Sequence, residues 1–473
     1  MTLLDNALIF LYLATLIVIG FYANRKQVDV DDYYVAGRRQ GTFSMACLWL
    51  ASWIGGASVI GSSGKAYAAG ITGIWYVCSL AFGLLLFGLM FAKRVKQLGD
   101  RHRFLTYPDL IEKHYDSRTR IVATLTTAIA YIAFSAGQLA AAGSILHVLL
   151  GWDFSSGLML ASAIVVLYTA TGGYLAVAWT DWVQFALLLI GILLIGLPIA
   201  LENGGTTAEL SQALPSSYFE IGAWGWSSIA ALVVSVSLSF FTSMDSFTRT
   251  FAARSPGAAH RGALLAVAFM LPIAVAATWL GMTTATLFPD IANSNDALTT
   301  FVMEMFPPGF KGMMLVGLLA AVMSTADICI LTASANISRD VYQRYVNPDI
   351  SQQQMLRLGM YASLGIGLLA ALLAWQMEDV LDLLLLGFTL NSAALILPTI
   401  AAVYAWRVDS TTAFWSICLS FGTVLCWYLG GALELAPVFT TNPLWPGLIM
   451  AAISFFLLRA LRPPAALATD TAA

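Results

Sequence analysis

Thirteen apolar runs, each long enough to cross a lipid bilayer as a helix, follow one another along the chain. They lie near residues 3–21, 43–63, 72–92, 121–149, 154–171, 174–201, 224–248, 263–288, 310–338, 356–375, 380–405, 411–429 and 444–461. About 20 apolar residues cover the hydrocarbon core. Lipid offers backbone N–H and C=O groups no partner, so such runs must close their own hydrogen bonds as helices. The pattern specifies an all-α polytopic membrane protein of about 13 transmembrane helices. Only 10% of the 473 residues are charged, against about 25% in soluble domains. The segments between the runs are too short for a soluble domain. The five cysteines (Cys47, Cys78, Cys329, Cys418, Cys426) all fall in apolar runs and form no secreted disulfide framework. Four scattered histidines, with no CxxC or HExxH, count against a metal enzyme. Gly61–Ala66 superficially resembles a phosphate loop, but it lacks the first glycine and ends in Ala66 rather than Ser or Thr.

Charge sets the orientation. The first run has Asp5 at its front and Arg25-Lys26 behind it, the reverse of a signal peptide, so it reads as a retained span with its N-terminus outside. The inner segments then carry 21 of the 23 Lys and Arg, leaving only Lys65 and Lys311 outside them. A missed or added span would exchange half the loops and destroy this positive-inside asymmetry. The expected topology is N-terminus out and C-terminus in, in the plasma membrane, with a disordered tail after Arg462.

Four stretches carry chemistry. The second run holds Ala51-Ser52-Trp53-Ile54-Gly55-Gly56-Ala57-Ser58 at its middle. Each glycine weakens a helix by about 1 kcal/mol relative to alanine. Irregular backbone at membrane depth is tolerated where it lines a polar cavity or binds an ion; the same small residues equally suit close helix packing. The ninth run places Ala321, Ser324 and Thr325 at i, i+3 and i+4, on one helix face. Adjacent hydroxyls there are ligands for a hard cation, or bond back to their own helix. Asp327 follows one turn on, and a carboxylate at membrane depth is a functional residue by default. The sixth run adds Asp181 after a glycine pair, Gly172-Gly173, that reads as a tight turn. The seventh adds Asp245, which either serves the site or pairs with Arg249 at i+4.

Ala51–Ser58, the Gly172-Gly173-Tyr174 to Thr180-Asp181-Trp182-Val183-Gln184 stretch, and Ala320-Ala321-Val322-Met323-Ser324-Thr325 followed by Ser338-Arg339-Asp340 together resemble the sodium:solute symporter family, over nearly the whole chain. The resemblance implies a LeuT-like inverted repeat of five plus five helices, with residues 43–201 and 202–410 as the halves. Residues 1–42 and 411–473 are then peripheral. It implies one Na+ held by the carbonyls of Ala51, Ile54 and Ala321 and the hydroxyls of Ser324 and Thr325. A second ion site would use Asp181, Ser324 and Asp327; the last stands where many members carry serine, so a proton role and the ion count stay open. The implied solute-lining residues are Trp53, Gly55, Ser58, Tyr76, Phe134, Gln138, Phe240 and Ser243. Trp53-Ile54-Gly55-Gly56 and Ser324-Thr325-Ala326-Asp327 resemble the choline branch, although Phe134 and Ser243 stand where that branch has further tryptophans. Proline, sugar, sialic-acid and carboxylate solutes remain open.

The function expected is not enzymatic. It is sodium-coupled symport importing a small polar organic solute by alternating access. The alternatives are a membrane-embedded solute sensor and a proton-coupled symporter using Asp181 and Asp327. Expected partners are the solute and the lipid bilayer, with no nucleic acid and no obligate protein partner.

Overall fold

The computed structural model describes residues 38–377 and 379–462 and scattered positions between 4 and 18. Side chains at 56, 57, 168, 170–185, 188, 324, 352 and 356 lie outside the described residues. So do most of the first run, the loop before Arg38 and the tail beyond Arg462. All the described elements are helical, apart from one isolated bridge between Gln40 and Ala253.

The second run forms α1 (Thr42–Trp53) and α2 (Gly56–Ala69), separated by a break at Ile54 and Gly55. A 3-10 turn at Gly70–Gly73 leads into α3 (Ile74–Met90). Gly70 has φ +76, and a Cβ there would lie 2.1 Å from the Tyr218 carbonyl oxygen, so the turn requires glycine. The Lys- and Arg-rich segment that follows folds as α4 (Ala92–His102) and α5 (Tyr107–His114), the latter opened by a Thr106/Asp109 capping box. Asp116 caps α6 (Ser117–Leu150) by accepting from the Thr119 N–H. α7 (Phe154–Leu189) continues through a π stretch, Ile190–Gly196, into α8 (Leu197–Glu202); α9 (Thr207–Ala213) follows. The seventh run forms α10 (Trp226–Thr242) and α11 (Met244–Ala252). Then come α12 (Pro256–Leu287), α13 (Ala297–Met305) and α14 (Phe310–Ala335), the last extended by a π stretch, Asn336–Val346. α15 (Gln352–Gln376), α16 (Val380–Val403), α17 (Ser410–Ala432) and α18 (Leu444–Leu461) complete the chain.

Burial sorts these helices into core and periphery. The most apolar window of α6 is 89% buried in protein, and that of α14 with its π extension 94%. The corresponding values for α15 and α18 are 28%, so those helices turn most of their surface to lipid. α6 packs on α14, α7 and α16, and α12 packs on α1, α2 and α3. Among the described residues eight helical segments are long and apolar enough to cross a membrane, or ten with two bent pairs. Ser58–Met90 joins the later half of the second expected crossing to the third, and the stretch 154–202 holds the fifth and sixth.

Two features differ from the sequence expectation. Helix is continuous through Gly172-Gly173, where a turn was expected; glycine costs a helix only about 1 kcal/mol. Both ends of 154–202 lie at one end of the bundle, so the helical path doubles back between them and the expected reversal of direction is kept. Gly157 packs on Gly143 and His147, while Gly196 packs on Leu280 and Phe306. Ser144 and His147 of α6 both reach Asp296, just beyond α12. The second difference is a break at Ser243, where α10 and α11 meet at 48°. Ser243 is extended (φ −70, ψ 126), with no glycine beside it.

At the basic end of the bundle, Arg120 is 3% exposed and joins three elements. Its guanidinium lies 2.5 Å from Asp340 in the π stretch, and 3.1 Å and 2.6 Å from Asp109 and Glu112 of α5. Arg344 reaches Glu112 at 2.7 Å. Burial pushes the Asp109 carboxyl up, but Arg339, Arg120 and the Leu105 and Thr106 N–H groups outweigh it and hold it below the usual carboxylate range. Its contribution to stability is therefore present above the unfolded value of about 3.9 and is lost only in acid. Breaking a buried pair costs about 3–5 kcal/mol because one charge stays behind. Arg120→Ala should thus lower the thermal midpoint of the purified protein markedly, with part of the loss recovered by adding Asp340→Asn. An Arg120→Ala protein as stable as the parent would remove this network from the account.

Candidate functional site

The break between α1 and α2 leaves the last carbonyls of α1 without partners in their own helix. The structure accounts for most of them. Leu50 O accepts from the Ile54 N–H at 2.8 Å, and Trp53 O accepts from the Ser58 hydroxyl at 2.9 Å. Ala51 O accepts from the Thr325 hydroxyl of α14 at 3.3 Å. The same Oγ1 lies 3.0 Å from Ala321 O in its own helix. One proton cannot serve both carbonyls fully; a small cation in that position would draw on all three oxygens. Gly55 permits the approach, because a Cβ there would lie 2.6 Å from Thr325 Oγ1 and 3.2 Å from Ala321 O. Thus Ala51, Ala321 and Thr325 converge, and Ile54, 1% exposed, sits in the break beside them. The Ser324 side chain lies outside the described residues. The assembled donors are neutral oxygens, a set suited to a hard monovalent cation.

Of the residues expected at a second ion site, only Asp327 has a described side chain. It is fully buried and accepts a hydrogen bond from Thr169 of α7. Asp181 and Ser324 lie outside the described side chains. Sequence reasoning missed Thr169; the hydroxyl pair Thr169 and Thr171 ahead of Gly172-Gly173 was the available signal.

Beside the α1–α2 break is a cavity of about 50 Å³. Trp53, Ser58, Tyr76, Phe134, Gln138 and Ser243 line it, six of the eight expected solute residues. The other two stand behind its wall: Gly55 faces Thr325, and the Phe240 ring stacks on Trp53 with centroids 3.8 Å apart. Tyr131 and Phe388 also line the cavity and were not singled out for it; Asp245, left open between the site and Arg249, lines it as well. Phe388 stacks on Trp53 at 5.9 Å and lies 4.8 Å from Phe134.

Tyr131 of α6 holds the second break. Its hydroxyl is 2.8 Å from Ser243 Oγ and accepts the Asp245 N–H at 2.8 Å, serving a donor at the start of α11. Asp245 pairs with Arg249 Nε at 2.8 Å, the i+4 contact that the sequence allowed. Arg249 Nη1 in turn donates to Leu48 O of α1 at 2.7 Å. The two broken helices are therefore tied to each other.

The sodium:solute symporter family model matches residues 33–420. The chain belongs to this family. It is 24% identical to the high-affinity proline transporter PutP of Bacillus subtilis (strain 168), over 96% of this chain and 98% of that protein. It is 26% identical to the sodium/proline symporter of Escherichia coli (strain K12), over 96% and 93%. Its fold matches a substrate-bound, outward-open Na+-coupled sialic acid symporter with a TM-score of 0.80 at 21% identity, covering 98% of this chain and 99% of that one. It also matches Mhp1, a nucleobase-cation-symport-1 family transporter, with a TM-score of 0.58 at 16% identity, covering 92% and 97%. The fold is the LeuT-like one expected, and the family's members are sodium-coupled symporters of small solutes in bacterial plasma membranes.

A methyl group at residue 55 would collide with Thr325 Oγ1. Gly55→Ala should therefore raise the sodium concentration needed to stabilise the purified protein against heat by about tenfold or more, read as a shift in apparent stability. An unaltered sodium titration would separate the helix break from the ion.

Proposed function

We propose that this symporter imports a small zwitterionic solute of the size of proline, driven by sodium bound between the α1–α2 break and α14. The observation that carries the reading is the convergence of Ala51 O, Ala321 O and Thr325 Oγ1 across Gly55. Ile54 O and the Ser324 hydroxyl would complete the ligand set. A further ion would use Asp181, Ser324 and Asp327. Helix breaks in the first helix of each half support the division into 43–201 and 202–410, with 1–42 and 411–473 peripheral. A cytoplasmic basic end, where Arg120 and its partners cluster, supports a topology with the N-terminus outside and the C-terminus inside.

Charge selects the solute. Among the described residues lining the central cavity none is cationic, and Asp245 is a carboxylate. A net anion, such as the substrate of the sialic acid symporter, would meet no counter-charge there. A zwitterion of the kind named for the proline symporters is net neutral, as is the Asp245–Arg249 pair, and its ammonium group turns to the Asp245 side. Its carboxylate turns to the N-terminus of α2, and its apolar ring to Trp53, Phe134 and Phe388. A quaternary amine is the second reading, favoured by the five aromatic residues around the cavity, Trp53, Tyr76, Tyr131, Phe134 and Phe388. At about 50 Å³ the cavity is well below the roughly 150 Å³ that holds a benzene-sized ligand, so a proline-sized solute needs the Trp53–Phe240–Phe388 stack to open.

Thermal-shift screening of the purified protein against amino acids, quaternary amines, sugars and carboxylates, in sodium and in potassium, tests this. Stabilisation by proline or a close analogue in sodium alone is expected. A hit indifferent to sodium would overturn sodium coupling at this site in favour of a sensor or a proton-coupled symporter. Thr325→Ala removes one oxygen of the convergent set and should weaken stabilisation by sodium about tenfold or more; wild-type sodium dependence in that variant would sink the ion assignment.

A further inference from the structure

A second cavity, of about 330 Å³, lies between α10, α16 and α17, at the end of the bundle opposite the Arg120 network. It is several times larger than the central one. Its walls are half polar in character: Ser228 and Ser235 come from one face of α10, Asp382 and Thr389 from one face of α16, and Tyr428 from α17. Tyr428 and Thr389 are neighbours in this wall. Asp382 is the charged group in this lining. Among the described residues no Lys, Arg or His nitrogen lies within 4.0 Å of its carboxylate. The nearby ammonium of Lys65 sits over the Trp224 ring, 4.4 Å from its centre. Asp379, one turn before Asp382, adds a second negative charge at the rim.

α16 is the wall between the two cavities. Leu384 and Phe388 face the central one, whereas Asp382, Leu385 and Thr389 face the outer one. A group held at the outer site is therefore one helix away from the Trp53–Phe388 stack. A carboxylate in a roomy recess, ringed by hydroxyls and an aromatic face, selects for positive charge and against anions.

We propose that this outer cavity is a second binding site, for small organic cations, with Asp382 as the counter-charge and the Trp224, Ser228 and Tyr428 walls as the container. It holds a cationic ligand on the extracellular side while the central cavity is closed. Binding there requires neither sodium nor the central aromatic stack, so its failure is separable from that of the sodium-coupled reading.

The test presents one skeleton in two charge states to the full-length purified protein. L-prolinamide is the cation and N-acetyl-L-proline the anion. Binding is measured by calorimetry in potassium, in a Trp53→Ala background that disables the central site. Saturable prolinamide binding is expected there, reduced at least about tenfold by Asp382→Asn, with N-acetyl-L-proline inert. The melting midpoint of Asp382→Asn is measured alongside. Ser228→Phe, which fills the cavity from an exposed wall, is the second variant and should abolish the same binding. Prolinamide binding that survives both substitutions, or N-acetyl-L-proline binding as well as prolinamide, would overturn the proposal.

Discussion

A helix that stops inside hydrocarbon leaves carbonyl groups that lipid cannot satisfy, each at a cost of several kcal/mol. Where the carbonyls of α1 go determines how the rest of the bundle is arranged. Leu50 O and Trp53 O are satisfied locally, by the Ile54 N–H and the Ser58 hydroxyl. Ala51 O is satisfied by another helix, through Thr325. That bond sets the separation of α1 and α14, and Gly55 makes the separation attainable. Leu48 O, one turn earlier, is taken by Arg249 from the second broken helix. The central crossing is thus organised by backbone groups displaced from regular helix rather than by apolar packing alone.

The second break reverses the polarity of the problem. Here the start of α11 presents N–H groups, and Tyr131 supplies the acceptor. Arg249 then links the Asp245 carboxylate on α11 to a carbonyl on α1. A shift of either broken helix strains contacts of the other, while α6 and α14, almost wholly buried, form the fixed frame. An ion whose oxygens come from both α1 and α14 therefore favours the arrangement in which those helices are close. Differential affinity of this kind is what allows a ligand to shift a conformational equilibrium. The aromatic stack above the ion is a weak latch by comparison, since each ring pair contributes about 0.5–1.5 kcal/mol beyond its buried area.

Much of this was legible in the sequence, for identifiable reasons. Two glycines at mid-run and hydroxyls at i+3 and i+4 from Ala321 are local patterns, and they marked Ala51, Gly55 and Thr325. The i+4 spacing of Asp245 and Arg249 was equally local. The break at Ser243 was missed because it contains no glycine; an extended serine followed two residues later by an aspartate is a helix-start signal that an apolar run disguises. Tyr131 and Phe388 were missed because an aromatic residue facing a cavity has the same helical spacing as one facing a neighbouring helix. Phe240 shows the converse, an aromatic residue expected in the lining that instead backs Trp53.

The chemistry of the proposed first ion site also bears on how the cycle would end. Transport requires an ion to be held strongly enough to be captured and weakly enough to leave. A carboxylate among the ligands would remain charged after the helices part and would retain the cation through a desolvated pocket. Carbonyls and a hydroxyl behave differently. When Gly55 moves away from Thr325, the hydroxyl still bonds Ala321 O in its own helix, 3.0 Å away, and the Ala51 carbonyl turns toward the opening cavity and water. Each of these three groups then has another partner, and their separation leaves no buried charge among them. The back-bond within α14, which in a static helix would be unremarkable, is what makes the opened site stable without its ion.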